Sequence, residues 1–235
     1  MYSLIIPCFN EVENLKKLFV KLNLLLNNFS EEKIEIIIVN NGSTDDSNAI
    51  IKKNKLFLEN KIQLLNIDRN IGYGDGIDKG IQYSKGDIIC WFHADLQFDP
   101  VDLIKIFKQF KETLSSEEIL IKGKRINRSF FDTFFTYGMS LFTFLLFQKK
   151  ITDINAQPKI FKRSFLRFVK NPPKDFSYDI YFLLIALKNN IKVKEFPVIW
   201  HDRNAGLAKG GGSIMLKFKL TLRTIKYMIK LKGVL

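Results

Sequence analysis

The chain has 235 residues, 46% of them hydrophobic, which suits one α/β domain with a substantial core and excludes a disordered segment. Its 37 Lys and Arg against 24 Asp and Glu give a net charge of +13, which favours anionic partners: phosphate-bearing substrates, anionic lipid or nucleic acid. Two cysteines, Cys8 and Cys90, make neither a disulfide framework nor a zinc set, and read as buried thiols in a reducing compartment.

The opening MYSLIIPCFNE has no basic leader and Pro7 interrupts its apolar run, so no export signal is expected. SLIIPCF reads as a short strand. VENLKKLFVKLNLLLNNF carries helical spacing, with Leu15, Leu18, Phe19, Leu22, Leu25 and Leu26 on one side. KIEIIIVN is a second strand, and Ser43 or Thr44 can cap the helix after it. KIQLLNID is a third strand. YGDGIDKGIQYS is a glycine-rich helical turn region, whose glycines permit tight turns and close backbone approach to a ligand. Their spacing is not G-x-G-x-x-G and they follow the third strand, which disfavours a dinucleotide-binding dehydrogenase.

GDIICWFHAD is a fourth strand, and Pro100 opens the helix PVDLIKIFKQF. Apolar strands alternating with amphipathic helices predict a mostly parallel sheet covered on both faces. Ligands of such sheets bind beyond the carboxyl ends of the strands. Those ends here are PCFNE, VNNGSTD, IDRNIG and HADLQFD, all polar. In an extended chain residues 93, 95 and 97 share one face. Asp95 and Gln97 can then approach one hard cation, with His93 as a softer third ligand.

Two later segments differ. In Phe130–Phe147, Asp132, Thr136, Ser140 and Thr143 recur as one narrow polar stripe on an otherwise apolar helix. That fits a helix lying in a membrane interface, with burial against the domain as the alternative. IMLKFKLTLRTIKYMIKLK sets Lys219, Arg223, Lys226 and Lys230 in a basic stripe flanked by apolar residues, which reads as a membrane-surface helix. Its LKFKLTLR portion also alternates with period two, which leaves a strand open. The division expected is a catalytic domain over 1–213, with 130–147 inserted, and a basic amphipathic helix over 214–235.

In order along the chain, these pieces resemble glycosyltransferase family 2 with its GT-A fold, and within it the dolichyl-phosphate mannosyltransferase-like branch. IIPCFNEVENL is similar to the family's opening strand and turn, which implies that Pro7, Phe9, Asn10 and Glu11 hold the nucleotide base. IIIVNNGSTDDS stands where the family has D-D-G-S-x-D, with Asn40 and Asn41 in place of two aspartates. NIGYGDGIDKGIQYSKGDII resembles the N-x-G segment and contributes Asn70 and Gly72. HADLQFDP stands for D-A-D-L-Q-x-D-P, so His93, Ala94 and Asp95 fall at the nucleotide-sugar site and His93 replaces an aspartate. KGKR resembles the G-S-R strand end and offers Arg125. DINAQPKIFKR occupies the acceptor segment without its S-G-F-R core. The closing FSYDIYFLLIALKNNIKVKEFPVIWHDRNAGLAKGGGS resembles the family's last helix, strand and R-x-x-G-x-x-K loop.

The resemblance implies an inverting, Mg²⁺- or Mn²⁺-dependent transferase that moves a hexose from a nucleotide diphosphate sugar to a polyprenyl phosphate. It would work peripherally on the cytoplasmic face of an anionic membrane. Arg125, Lys159, Arg203 and Lys209 are the cations that could hold phosphate oxygens. A phosphate acceptor is already ionised and needs no general base. A hydroxyl acceptor on a glycan or lipid-linked intermediate would need one, for which Asp153 and Asp179 are the candidates. The third possibility is a non-catalytic nucleotide-sugar binding module. No nucleic-acid motif accompanies the lysines, so nucleic acid is not expected as a partner.

Overall fold

Runs rich in Ile, Val and Leu with no helical period become β1, β2 and β4, and α1 is among the helices that cover them with a leucine-spaced face. The computed structural model describes residues 1–29, 33–127, 130–203 and 214–232. The strands are β1 (Tyr2–Cys8), β2 (Ile34–Asn41), β3 (Gln63–Ile67), β4 (Ile88–Trp91), β5 (Ile119–Ile126), β6 (Lys159–Lys162) and β7 (Lys192–Ile199). The helices are α1 (Val12–Asn27), α2 (Ser47–Lys53), α3 (Lys55–Leu58), α4 (Tyr73–Tyr83), α5 (Leu103–Ser116), α6 (Phe130–Phe147), α7 (Tyr178–Lys188) and α8 (Ile214–Lys232).

Among the described residues the strands form one sheet in the order β3-β2-β1-β4-β6-β5-β7. β6 runs antiparallel to its neighbours β4 and β5, and every other pairing is parallel. This is the mixed α/β sheet expected of a GT-A fold.

Alternation along each strand builds two cores. Leu4, Ile6, Ile36 and Ile38 face α1 and α5, where Leu15, Leu18, Leu22 and Phe107 meet them. Ile5, Ile37 and Val39 face α4 and α7, where Ile77, Ile81, Tyr178 and Phe182 meet them. Each fully buried aliphatic side chain contributes about 1.5–3 kcal/mol through the water it sheds. Cys8 and Cys90 are buried free thiols, as expected.

The structure bears on four local expectations, of which the C-terminal helix is borne out. The helix after β2 begins at Ser47, and neither Ser43 nor Thr44 caps it; the Asp45 carboxylate accepts from Ser47 N instead. The glycine-rich turn region is a full helix, α4. Its glycines approach the chain itself: a Cβ on Gly74 would lie 2.4 Å from the Pro173 carbonyl, and one on Gly80 2.5 Å from Ile5. They let α4 sit tightly on the sheet and on the 173–175 segment. The C-terminal segment is a helix throughout its described length, because side-chain spacing of 3.6 satisfies its buried Thr224, Met228 and Leu231 together.

The fourth concerns α6. The Thr143 hydroxyl is buried, donating to Met139 O and lying 3.4 Å from Met228 Sδ on α8. The polar stripe therefore turns inward at this point, while Tyr137, Leu141 and Leu145 are exposed. Asp132 belongs to the part of α6 whose side chains lie outside the described residues. No described helix is long and apolar enough to cross a membrane.

Candidate functional site

β4 ends at Trp91, so the extended alternation expected through residue 97 does not persist. The chain turns instead, with Leu96 at φ +60°. The turn folds residue 97 back on 95: Gln97 N donates to Asp95 Oδ1 at 3.1 Å. His93 Nδ1 lies 3.6 Å from Asp95 Oδ2, beyond hydrogen-bond length. The Gln97 amide end lies between Asp95 Oδ2 and Trp200 Nε1, and assigning its nitrogen to the carboxylate at 3.3 Å and its oxygen to the indole N–H at 3.1 Å satisfies both neighbours. Gln97 thus serves as a hydrogen-bond partner of Asp95. Ala94 is buried, and its N–H reaches back to the Pro7 carbonyl at 3.4 Å, which joins the ends of β1 and β4.

His93 is held from behind. Its backbone N–H donates to Gln157 Oε1 at 2.7 Å, and the Gln157 amide donates to Tyr73 Oη at 3.2 Å. Tyr73 meets the imidazole edge-on at 4.9 Å and stacks on Phe176 with 13° between the rings. Gly123 of KGKR makes room for this arrangement, since a Cβ there would fall 1.9 Å from the Gln157 carbonyl. His93 Nε2 is buried without a hydrogen-bond partner among the described residues. Neither Gln157, Tyr73 nor Trp200 stood out in the sequence. The one signal was that NAQPK replaces a family motif at Gln157.

Charge converges on the same point. The Arg203 guanidinium pairs with Glu11 Oε1, and its other terminal nitrogen lies 4.0 Å from Asp95 Oδ2. Burial raises the Asp95 pKa, but the nearby imidazole, the Gln97 N–H and Arg203 outweigh it and hold the carboxyl below its usual range. Glu11 goes the other way: burial dominates and raises it, against Asn14 and Arg203. Asn14 donates to Glu11 Oε2 at 2.6 Å.

The asparagines cross-link the strand ends. Asn10, at φ +53°, takes Ser43 Oγ on its backbone N–H at 3.0 Å, and its side-chain oxygen accepts from Thr44 N at 2.8 Å. Asn40 donates to Asn66 Oδ1 at 3.0 Å and accepts from Ser43 N at 3.2 Å. Asn41 donates to the Gly72 carbonyl at 3.0 Å, and its buried side-chain oxygen has no hydrogen-bond partner among the described residues. Asn70 abuts Gly42, whose φ of +69° keeps that turn closed. Pro7 and Phe9 are partly exposed beside them.

Three nominated residues are committed elsewhere, and Arg125 is only partly so. Lys159 is fully buried; its ammonium bonds Asp179 at 2.7 Å and the carbonyls of Ile154 and Ala156. This corrects the expectation of a phosphate-facing Lys159, because strand β6 points that side chain into the interior. It also removes Asp179, 2% exposed, from the candidate bases. Asp153 receives the backbone N–H of Arg125 at 2.7 Å and its Nε at 2.9 Å. Burial raises the Asp153 pKa but Arg125 more than offsets it, so the carboxylate stays ionised and occupied. Arg125 in turn lies over the Trp200 ring at 4.9 Å. Lys209 lies outside the described residues.

A groove of about 480 Å³ opens between α6 and the end of β5. Lys124, Arg125 and Lys150 line it on one side, and Tyr137, Leu141 and Phe144 on the other. It offers cations and an apolar wall in one channel.

Among the described residues no three His, Cys, Asp or Glu side chains converge as a complete metal cage. The donors at the β4 turn still fit a divalent cation that shares its coordination with a diphosphate. Such ions keep several ligands from phosphate and water and need only one or two from protein. An ionised Asp95 and an adjacent imidazole supply these.

The sequence profile of "Glycosyl transferase family 2" matches residues 3–167. A dolichyl-phosphate beta-glucosyltransferase of Trichomonas vaginalis is 25% identical over 233 residues, which is 93% of this chain and 69% of that protein. An uncharacterized glycosyltransferase of Bacillus subtilis is 27% identical over 132 residues, 55% of this chain and 39% of that one. Among solved structures, glucosyl-3-phosphoglycerate synthase from Mycobacterium tuberculosis, in complex with Mn²⁺ and UDP-glucose, superposes with a TM-score of 0.74 at 14% identity. That match covers 99% of this chain and 79% of the other.

Proposed function

The chain belongs to glycosyl transferase family 2 and is a glycosyltransferase, and from that premise we propose that it moves a hexose from a nucleotide diphosphate sugar to a polyprenyl phosphate. The observation that carries the choice of acceptor is the state of the two candidate bases. Asp153 is bound to Arg125 and Asp179 to Lys159, so neither is free to take a proton from a sugar hydroxyl. A phosphate acceptor asks for no such proton transfer. Dolichyl-phosphate glucosyltransferases stand among the relatives, which supports the same acceptor class and makes UDP-glucose the first donor to test. Family membership also sets aside the reading as a binding module without catalysis.

In this proposal the donor diphosphate lies at the β4 turn. Arg203 exchanges its contacts with Glu11 and Asp95 for phosphate oxygens, to which a guanidinium is well matched. Asp95 and His93 would hold a divalent cation, Mg²⁺ or Mn²⁺, which supplies Lewis-acid neutralisation of the leaving diphosphate. Gln97 keeps the Asp95 carboxylate in place. The acceptor phosphate enters the groove beside Arg125 and Lys124, with its hydrocarbon along Tyr137, Leu141 and Phe144. Its ionised oxygen attacks the anomeric carbon from the side opposite the diphosphate; the new C–O bond forms as the old one breaks, with inversion. Positioning and charge stabilisation supply the catalysis.

The membrane supplies the acceptor. On α8, Met215, Phe218, Leu222 and Ile229 are exposed alongside the stripe of Lys219, Arg223, Lys226 and Lys230. That pairing of apolar and basic stripes supports peripheral docking on an anionic, cytoplasmic leaflet. The test is sugar transfer from labelled UDP-glucose to polyprenyl phosphate by purified protein, against a hydroxyl-bearing lipid-linked glycan as the competing acceptor.

A further inference from the structure

Lys122 sits where a strand should carry an apolar residue. In ILIKGKRI of β5, Leu120 and Lys122 share a face by period two, and Leu120 belongs to the core under α7. The Lys122 side chain is 1% exposed. Its ammonium reaches the carbonyls of Gly123 at 3.0 Å and Asp153 at 3.3 Å, and one carboxylate, Glu195, at 3.2 Å.

That carboxylate is shared. Glu195 also lies 3.5 Å from Lys124 and accepts from the Thr152 hydroxyl. Lys122, Lys124 and Lys150 line a half-open cavity of about 350 Å³ together with Thr152, Leu187 and Val193. Three lysines face one glutamate there, so two positive charges have no acidic counterpart in the lining. The Asp153 and Asp179 carboxylates already serve Arg125 and Lys159.

We propose that this cavity is a phosphate-class anion site, separate from the Asp95 centre, which takes orthophosphate or a phosphate monoester between Lys122, Lys124 and Lys150. A buried ammonium that must share its ion-pair partner Glu195 gains from a second anion, through charge-assisted hydrogen bonds in a setting of low dielectric. Burial pushes the Lys122 ammonium down to about 8 against the pull of Glu195, which is the mark of an under-compensated cation. The cavity shares Lys124 and Lys150 with the α6 groove but adds Lys122, which the groove does not reach. The inference does not depend on sugar transfer, and its test contains no donor.

The test is calorimetric titration of the full chain, in chelator, with orthophosphate and with farnesyl phosphate. Saturable binding is expected. Lys122→Met should weaken it at least tenfold, as expected when a charged hydrogen bond is lost. Leu187→Glu, which leaves the buried lysine in place, should weaken it as much by repulsion, with an unchanged melting profile showing that the variant folds. Arg203→Ala should leave it unchanged. Farnesyl phosphate binding at least tenfold tighter than orthophosphate assigns the anion to a lipid; equal affinities assign it to free phosphate. No saturable binding, unchanged affinity in both cavity variants, or loss in Arg203→Ala overturns the site.

Discussion

The Lys159 ammonium and the Asp179 carboxylate lie 2.7 Å apart, with side chains 0% and 3% exposed. Two residues that could have served substrate serve each other. Removing one partner leaves a charge stranded in the interior, which costs roughly 3–5 kcal/mol. Asp179→Ala should therefore lower unfolding stability by that amount in urea titrations. Replacing both, as Lys159→Met with Asp179→Leu, should recover most of it. A loss in Asp179→Ala of less than about 1 kcal/mol would show that the pair is solvated.

His93 and Asp95 face one another at 3.6 Å without a hydrogen bond. If they hold one cation, Asp95→Ala should abolish Mn²⁺ binding measured by electron paramagnetic resonance in the presence of nucleoside diphosphate. His93→Asp should shift preference from Mn²⁺ toward Mg²⁺ by about tenfold, since a hard oxygen replaces a softer nitrogen. An unchanged preference would mean that the imidazole contacts phosphate and not metal.

On α8 the four basic residues should matter through their charge. Reversing Lys219, Arg223, Lys226 and Lys230 to Glu should cut sedimentation with anionic vesicles at least a hundredfold, taking about 1 kcal/mol per basic residue near such a surface. Circular dichroism should be unchanged, because all four are exposed. Equal sedimentation of the variant would place membrane contact elsewhere.

Lys122 gives a stability signature in pH. Its folded pKa, about 8, lies below the ordinary lysine value of 10.5, so the unfolded chain holds the proton more tightly between those values. Stability should therefore rise with pH from 8 to 10.5, with the penalty fully present below 8. Relative to Lys122→Met, the wild type should gain on the order of 3 kcal/mol across that window. A parallel pH profile for the two proteins would contradict the shift.

The first four strands were legible because they are apolar runs whose ends are polar, whereas β6, KIFK, is too short and charged to stand out. Leu15, Leu18 and Leu22 announced α1 by spacing alone, and the order of the motifs pointed to the family. What the sequence concealed was the turn at Asp95. Period two seemed to carry His93, Asp95 and Gln97 along one face, but the left-handed Leu96 folds them together, and nothing in HADLQFD marks that conformation. The destinations of charges were equally hidden. Lys122 and Lys159 look like surface lysines until the register of β5 and β6 turns them inward. The polar stripe of α6 left a membrane interface and burial against the domain both open, and spacing did not show that Thr143 packs against α8 while Tyr137, Leu141 and Leu145 are exposed. These outcomes depend on which neighbour each face meets, and local spacing does not encode that.

Transfer of a hexose to an ionised polyprenyl phosphate at the Asp95 turn can be watched directly. The most direct measurement follows radiolabel from UDP-glucose, with Mn²⁺, into the organic phase in the presence of polyprenyl phosphate. Labelling should depend on the acceptor and fall by roughly a hundredfold or more in Asp95→Ala, in line with the loss of transition-state charge stabilisation. Asp153→Asn should retain far more activity than a lost general base would allow. Label that appears only with a hydroxyl acceptor, or that collapses in Asp153→Asn while Arg125 keeps its place, would contradict it.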